Sequence, residues 1–167
     1  KAGAVNRMTD QELQQLVATL KQFEGATGLI TSHPGARYIG SGRFSYGFTF
    51  DQGNYMFLLM LADDWAGAKR IKEFFFEQAK KHPSGLFYSA YDTLTGEPLE
   101  ALIHAGYNAW LAMQLLNYFY FTGDREALQL ALEIADAISL LQTERGGFPL
   151  FIAVEAQFST LVYTTTT

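Results

Sequence analysis

Cysteine is absent from the 167 residues. That excludes disulfides, thiolate nucleophiles and cysteine-based metal sites, and it leaves the compartment open. Basic residues are few: Lys and Arg number 12 against 17 Asp and Glu, a net charge of −5. Apart from Lys69-Arg70-Lys72 and Lys80-Lys81-His82 they are dispersed, so no phosphate-tracking surface forms and no nucleic-acid partner is expected. Long apolar runs are also missing. The stretch Tyr55 to Ala62 falls far short of the ~20 residues that cross a bilayer, and no membrane partner is expected. No His or carboxylate pair shows metal spacing, which removes metal or cofactor dependence from the expected chemistry. The chain begins Lys1-Ala2-Gly3 without methionine or a hydrophobic signal core and ends in Thr164 to Thr167, so a processed product or a piece of a longer chain is expected.

What is present is an aromatic-rich, apolar sequence that repeats itself. Hydrophobic residues make up 49% and charged residues only 17%, the composition of a packed chain. Thr27-Gly28-Leu29-Ile30 leads through a loop to Asp51-Gln52-Gly53-Asn54-Tyr55, and Ser84-Gly85-Leu86-Phe87 leads through another to His104-Ala105-Gly106-Tyr107-Asn108-Ala109-Trp110. A third copy starts at Gly146-Gly147-Phe148, aligned here through Gly147, and runs into Glu155-Ala156-Gln157-Phe158. Copies about 60 residues apart fit a pair of helices with two connections, longer than a solenoid unit.

Helical periodicity fills the spaces between. One-faced outer helices are expected over 9–23, 63–82 and 124–142. The first is opened by a capping box between Thr9 and Glu12 and closed by Gly25 or Gly28. The second buries Trp65, Ala68, Ile71, Phe75 and Gln78-Ala79, and the third Leu128, Ala131, Ala135, Ile138 and Leu141. Between them lie inner helices, 51–62 and 103–121, apolar nearly all round and so enclosed on most sides, with a sixth helix drawn from Val154 to Tyr163. Links at one end are short, as in Thr122-Gly123-Asp124. At the other end Gly25 to Phe50 and Pro83 to Leu102 are long, which in a compact chain points to function. The fold class is therefore all-α, antiparallel helical hairpins in one domain over 1–167.

Several segments in order resemble the six-hairpin glycosidase-like superfamily: Phe48-Thr49-Phe50-Asp51-Gln52-Gly53, Gly85 to Asp92, Thr95-Gly96-Glu97-Pro98, Asn108 to Ala112, Tyr118 to Asp124, and Gln142 to Phe148. The resemblance covers about Leu13 to Phe148. It implies part of an (α/α)6 toroid whose long-loop face processes carbohydrate. A full toroid needs twelve helices, so the resemblance also implies a fragment completed by a missing segment or a second chain. A lone half would expose Phe57, Trp110 and Tyr118 as an apolar patch.

Glycoside cleavage takes one carboxylic acid to protonate the leaving oxygen and a second carboxylate as nucleophile or base. Asp51, where the first long loop meets an inner helix among Tyr46, Phe48 and Phe50, is the leading candidate; its alternative is a helix N-cap. Asp92, Glu97, Glu100 and Glu155 are candidates for the second, with Glu155 aligned to Asp51 and Asp92 equally a turn former. Arg37, Tyr38, Arg43 and Tyr46 are candidates for binding sugar hydroxyls or an acidic sugar, and Tyr55, Tyr91, Tyr107 and Trp110 for stacking on sugar rings, with core packing as their alternative. Gln52 and Asn108 stand beside them at the inner-helix starts. His104 offers a proton carrier in an epimerase- or lyase-like site, while His33 and His82 are isolated. Three functions remain open: a glycoside hydrolase, an epimerase or lyase on the same toroid, and a non-catalytic repeat that binds its partner.

Overall fold

A computed structural model describes residues 8–38, 42, 44–99 and 102–153. Among these residues five helices alternate in position: α1 (Asp10–Lys21), α2 (Thr49–Leu61), α3 (Trp65–Glu73, continued by a π-helical turn over Phe74–Gln78), α4 (Ala105–Thr122) and α5 (Arg125–Ser139). Local chemistry sets most of their ends. Thr9 and Glu12 close the capping box on α1, with the Thr9 N–H donating to Glu12 Oε2 at 2.7 Å and Glu12 N–H to Thr9 Oγ1 at 3.2 Å. Asp64 and Asp124 cap α3 and α5 by accepting from Gly67 and from Glu126 and Ala127. Gly123, at φ 74°, turns α4 into α5.

The helices α2 and α4 pack side by side, and α3 and α5 return outside them. Gly53 makes the close approach possible: a β-carbon there would stand 3.1 Å from Trp110 and 3.5 Å from the Leu111 backbone. Met56, Leu59, Ile71, Phe74, Leu111, Leu115, Leu130 and Ile134 fill the space between the layers, each at 1% exposure or less. The π-helical turn lets the consecutive Phe74 and Phe75 both face inward, where they pack edge-to-face with each other and with Tyr91.

Periodicity missed four short strands, β1 (Tyr46–Phe48), β2 (Ala90–Asp92), β3 (Leu102–His104) and β4 (Phe151–Ala153). They join the long loops into two antiparallel ribbons: Tyr46 lies opposite Asp92 in one, His104 opposite Phe151 in the other. Each ribbon pairs the strand that leads into an inner helix with the strand that follows the next glycine turn. Three-residue strands carry too few positions for a period-2 pattern to register.

Other expectations are corrected. The helix α1 ends at Lys21 with Gln22 right-handed, not at a glycine. Gln78 is exposed, beyond the α-helical part of the second outer helix. The buried stripe of α5 is Ala127, Leu130, Ala131, Ile134 and Ala137, which leaves Ala135 in solvent and Leu128, Ile138 and Leu141 half-buried. Small alanines on that stripe let α5 close on α4. Tyr118 is buried against Trp65, on the α3 side of α4, and does not join the exposed patch. Phe57 and Leu61 on α2 and Trp110, Met113, Leu116 and Tyr120 on α4 do form one, each at least 36% exposed. The segment drawn as a sixth helix, Val154 to Tyr163, lies outside the described residues.

Candidate functional site

Three glycine turns organise the loop end. Gly28, Gly85 and Gly146 all take left-handed φ, 81°, 85° and 81°, a region glycine enters without steric cost. Each donates its N–H three residues back, to Gly25, His82 and Thr143. Those three residues in turn donate forward to Leu29, Leu86 and Gly147. The third copy thus aligns through Gly146, one residue before the glycine that the sequence comparison used.

From each of the first two turns a buried amide holds the chain to an inner helix. Gln52 accepts from Ile30 N–H at 2.8 Å and donates to the Ile30 carbonyl at 2.9 Å. Asn108 does the same for Phe87, accepting at 2.8 Å and donating at 3.0 Å. The amides also reach the carbonyls of Phe48 and His104, the residues that precede α2 and α4. Two residues past Ile30 and Phe87, Ser32 and Ser89 accept the N–H of the same Phe48 and His104, at 2.8 and 3.1 Å. With both amides wholly buried in these duties, Gln52 and Asn108 are clamps of the scaffold, which corrects their reading as sugar ligands.

A groove of about 550 Å³ opens beside this junction, bounded by the end of α1, the loop from Ile30 to Pro34, the start of α2 and Tyr107 of α4. Asp51 is the carboxylate among its described lining residues, half-buried in the first turn of α2. It is not the N-cap: Phe48 holds that position without a side-chain bond. His33, set aside as isolated in the sequence, also lines the groove and stacks on Tyr46 at 5.9 Å. Rings continue across the face from Tyr38 to Tyr46 and Phe48, then to Tyr107, Phe50 and Trp110, at centroid distances of 5.1 to 6.3 Å. Trp110 is tied to α2 by its indole N–H, which donates to Asn54 at 2.8 Å. Tyr55, a stacking candidate, lines the groove but donates its hydroxyl to Glu24; burial and that carboxylate push the phenol above its ordinary range.

His104 stands at the start of α4 with its ring stacked on Tyr107 at 4.4 Å and 18°. It and Asp51 therefore occupy the same end of the helical layer, each at the head of an inner helix. The other candidates divide. Tyr91 is wholly buried, donating to the Lys80 carbonyl at 2.7 Å, so it is core and has no face for a sugar. Asp92 is buried too, and its Oδ1 accepts from Leu94 N–H, Thr95 N–H and the Ser45 hydroxyl, the turn-forming duty. Glu97 is exposed and pairs with Lys80 at 2.5 Å. Arg37 is exposed and lies over Phe44 at 4.8 Å, away from the groove lining. Arg43, Glu100 and Glu155 lie outside the described residues. Among the described residues no group of three or more His, Asp or Glu is placed to hold a metal ion, and no helix is long and apolar enough to cross a membrane.

No protein-family model matches the chain, and no curated protein matches it in sequence. Solved structures do share its fold. An α-amylase from Clostridium perfringens superposes with a TM-score of 0.70 at 13% identity, over 89% of this chain and 43% of its own. A sugar epimerase from a ruminal bacterium gives 0.66 at 18% identity, over 86% and 40%. A family 8 endoglucanase from Klebsiella pneumoniae gives 0.60 at 15%, over 89% and 43%. These proteins are (α/α)6 barrels, and the fold of this chain is that of a partial (α/α)6 barrel. It spans about two fifths of their length.

Proposed function

We propose that the loop face is part of the sugar-binding groove of a carbohydrate-active enzyme, with Asp51 as the general acid of glycoside hydrolysis. The observation that carries this reading is the position of Asp51: a half-buried carboxylate at the head of an inner helix, inside a groove walled by His33, Phe48, Phe50 and Tyr107. Aromatic walls stack on the apolar faces of sugar rings. In the reaction the Asp51 carboxyl delivers its proton to the glycosidic oxygen as the C–O bond breaks, and water adds to the sugar carbon with help from a second carboxylate. That second group comes from outside the described residues, either Glu155 or the part of the barrel that this chain does not span. Carbohydrate is accordingly the proposed partner, and a further segment or second chain completes the groove over the exposed faces of α2 and α4.

Reducing ends released from a panel of oligosaccharides test the reading. Asp51→Asn is expected to lower release by ~100-fold or more. Unchanged release in that variant removes Asp51 from the chemistry. A second reading, a sugar epimerase, is favoured by the stacking of His104 on Tyr107 beside the groove. It calls for inversion at a sugar carbon without release of reducing ends. Binding of an oligosaccharide with neither outcome assigns a non-catalytic module.

A further inference from the structure

Asn54 sits three residues after Asp51 on α2, half-buried in the lining of the same groove. An indole N–H donates and cannot accept, so the 2.8 Å contact with Trp110 fixes the amide: its oxygen faces α4, and its NH2 group leaves the carbon in another direction. The indole is itself held. Gly53 gives it room, with Trp110 Cδ1 standing 3.1 Å from the place a β-carbon would take, and the Phe50 ring lies against it at 5.6 Å. The two clamps behave differently. Gln52 and Asn108 spend both ends of their amides on backbone groups. Asn54 spends its oxygen, and among the described residues no acceptor meets its Nδ2 group. Asparagine is a poor residue for a helix interior, and the one bond described for this side chain leaves its own helix for the next.

We infer that Asn54 is a sugar-binding residue, its amide oriented by Trp110 so that Nδ2 donates a hydrogen bond to an oxygen of the sugar bound beside Asp51. Residues three apart share a helix face, and both of these line the groove. A sugar whose glycosidic oxygen meets the Asp51 carboxyl therefore brings a neighbouring hydroxyl or ring oxygen toward the next side chain. The amide supplies donors and gives up no proton, so it holds the substrate and leaves proton transfer to Asp51. Because the indole fixes the amide before the sugar arrives, little side-chain freedom is lost on binding. This deepens the proposed carbohydrate site and rests on it for the identity of the ligand. It also gives Trp110 a duty besides stacking: it aims the donor.

Two substitutions separate binding from orientation. Asn54→Asp keeps an oxygen for the indole and loses the donor; Asn54→Leu loses both. Proton–nitrogen NMR on the ¹⁵N-labelled full chain reads the orientation through the indole N–H, since the two tryptophans give two signals and Trp110→Phe identifies one of them. That signal is expected to stay hydrogen-bonded in Asn54→Asp and to exchange faster with water in Asn54→Leu. An unmoved signal in Asn54→Leu overturns the orientation. Titration with cello- and malto-oligosaccharides reads binding. The Asn54 amide pair, identified by its loss in Asn54→Asp, is expected to shift as sugar binds, and both substitutions to raise Kd about 10-fold. In Asn54→Leu, kcat is expected to stay within ~10-fold, inside the ~100-fold loss of an acid or base. Parent affinity in either variant overturns the proposal, and parent affinity in Asn54→Asp alone makes Asn54 a prop for Trp110. An amide pair that stays put at saturation, while other groove signals move, overturns it as well. Absence of binding by both sugar series overturns it together with the carbohydrate reading. Failure of Asp51→Asn to reduce glycoside cleavage would instead overturn the hydrolase reading and leave the Asn54 result standing.

Discussion

The two junctions between glycine turn and inner helix share one scaffold and differ in what it carries. Gly28, Ser32 and Gln52 in the first repeat do what Gly85, Ser89 and Asn108 do in the second. Counted from the residues that precede α2 and α4, the departures include Phe48 against His104, Asp51 against Tyr107, and Asn54 against Trp110. Residues that agree are those whose hydrogen bonds close the backbone at a buried crossing, and either repeat needs them for the same reason. Several that differ, Phe48, Asp51, Asn54 and Tyr107 at the groove and Trp110 on the exposed helix face, lie where the crossing makes no demand. Comparison of a chain with itself thus separates scaffold from chemistry.

The comparison breaks first at the clamps. Gln52→Ala and Asn108→Ala each strand a buried N–H and carbonyl, and each is expected to cost about 2–4 kcal/mol, read as equal losses of urea stability; tolerance at one site only would end the equivalence. Ser32→Ala and Ser89→Ala remove a single bond to one backbone N–H, with expected costs of about 1 kcal/mol each in the same experiment. A larger loss at Ser89 measures the added contact of its hydroxyl with the His104 imidazole. Smaller still is His104→Phe, which makes the second junction like the first; denaturation is expected to move by under ~1 kcal/mol, whereas a large loss would make His104 part of the scaffold.

The smallest effect sharpens the contrast with the opposite end of the helices. There buried Lys72 pairs with Asp124 at 3.2 Å and Glu126 at 2.7 Å. Burial pushes the Asp124 carboxyl up, but the Lys72 ammonium and the N–H groups of Ala127 and Glu126 outweigh it and hold the carboxyl below the ordinary aspartate range. A carboxylate depressed by folding adds stability above its unfolded value and loses it as pH falls through the folded one. Stability is therefore expected to drop below about pH 4, and Asp124→Asn to flatten that part of the pH profile while leaving the loop-end groove unaltered.

Much of the fold was legible because periodicity and caps are local. Thr9 and Glu12 sit three residues apart and need only each other, and the short link Thr122-Gly123-Asp124 declares its glycine turn and its aspartate cap. Side-chain duties were less legible. Gln52 and its partner Ile30 are 22 residues apart, and Asn108 and Phe87 are 21, so their amides read as ligands until the crossing was built. Tyr91 read as a sugar-stacking group and Asp92 as a candidate carboxylate because a loop position says nothing of burial.

By itself the sequence determined the hairpin phase: which helices are one-faced and which end carries the long loops. Those properties follow from residue spacing along one helix and from turns closed within a few residues. Tertiary structure decided which aromatic rings meet, which amide is a clamp, and that His104 rests on Ser89 while Asp51 opens to a groove. Those depend on contacts between segments far apart in the chain, where the cost of an unpaired buried group, and not local preference, selects the partner.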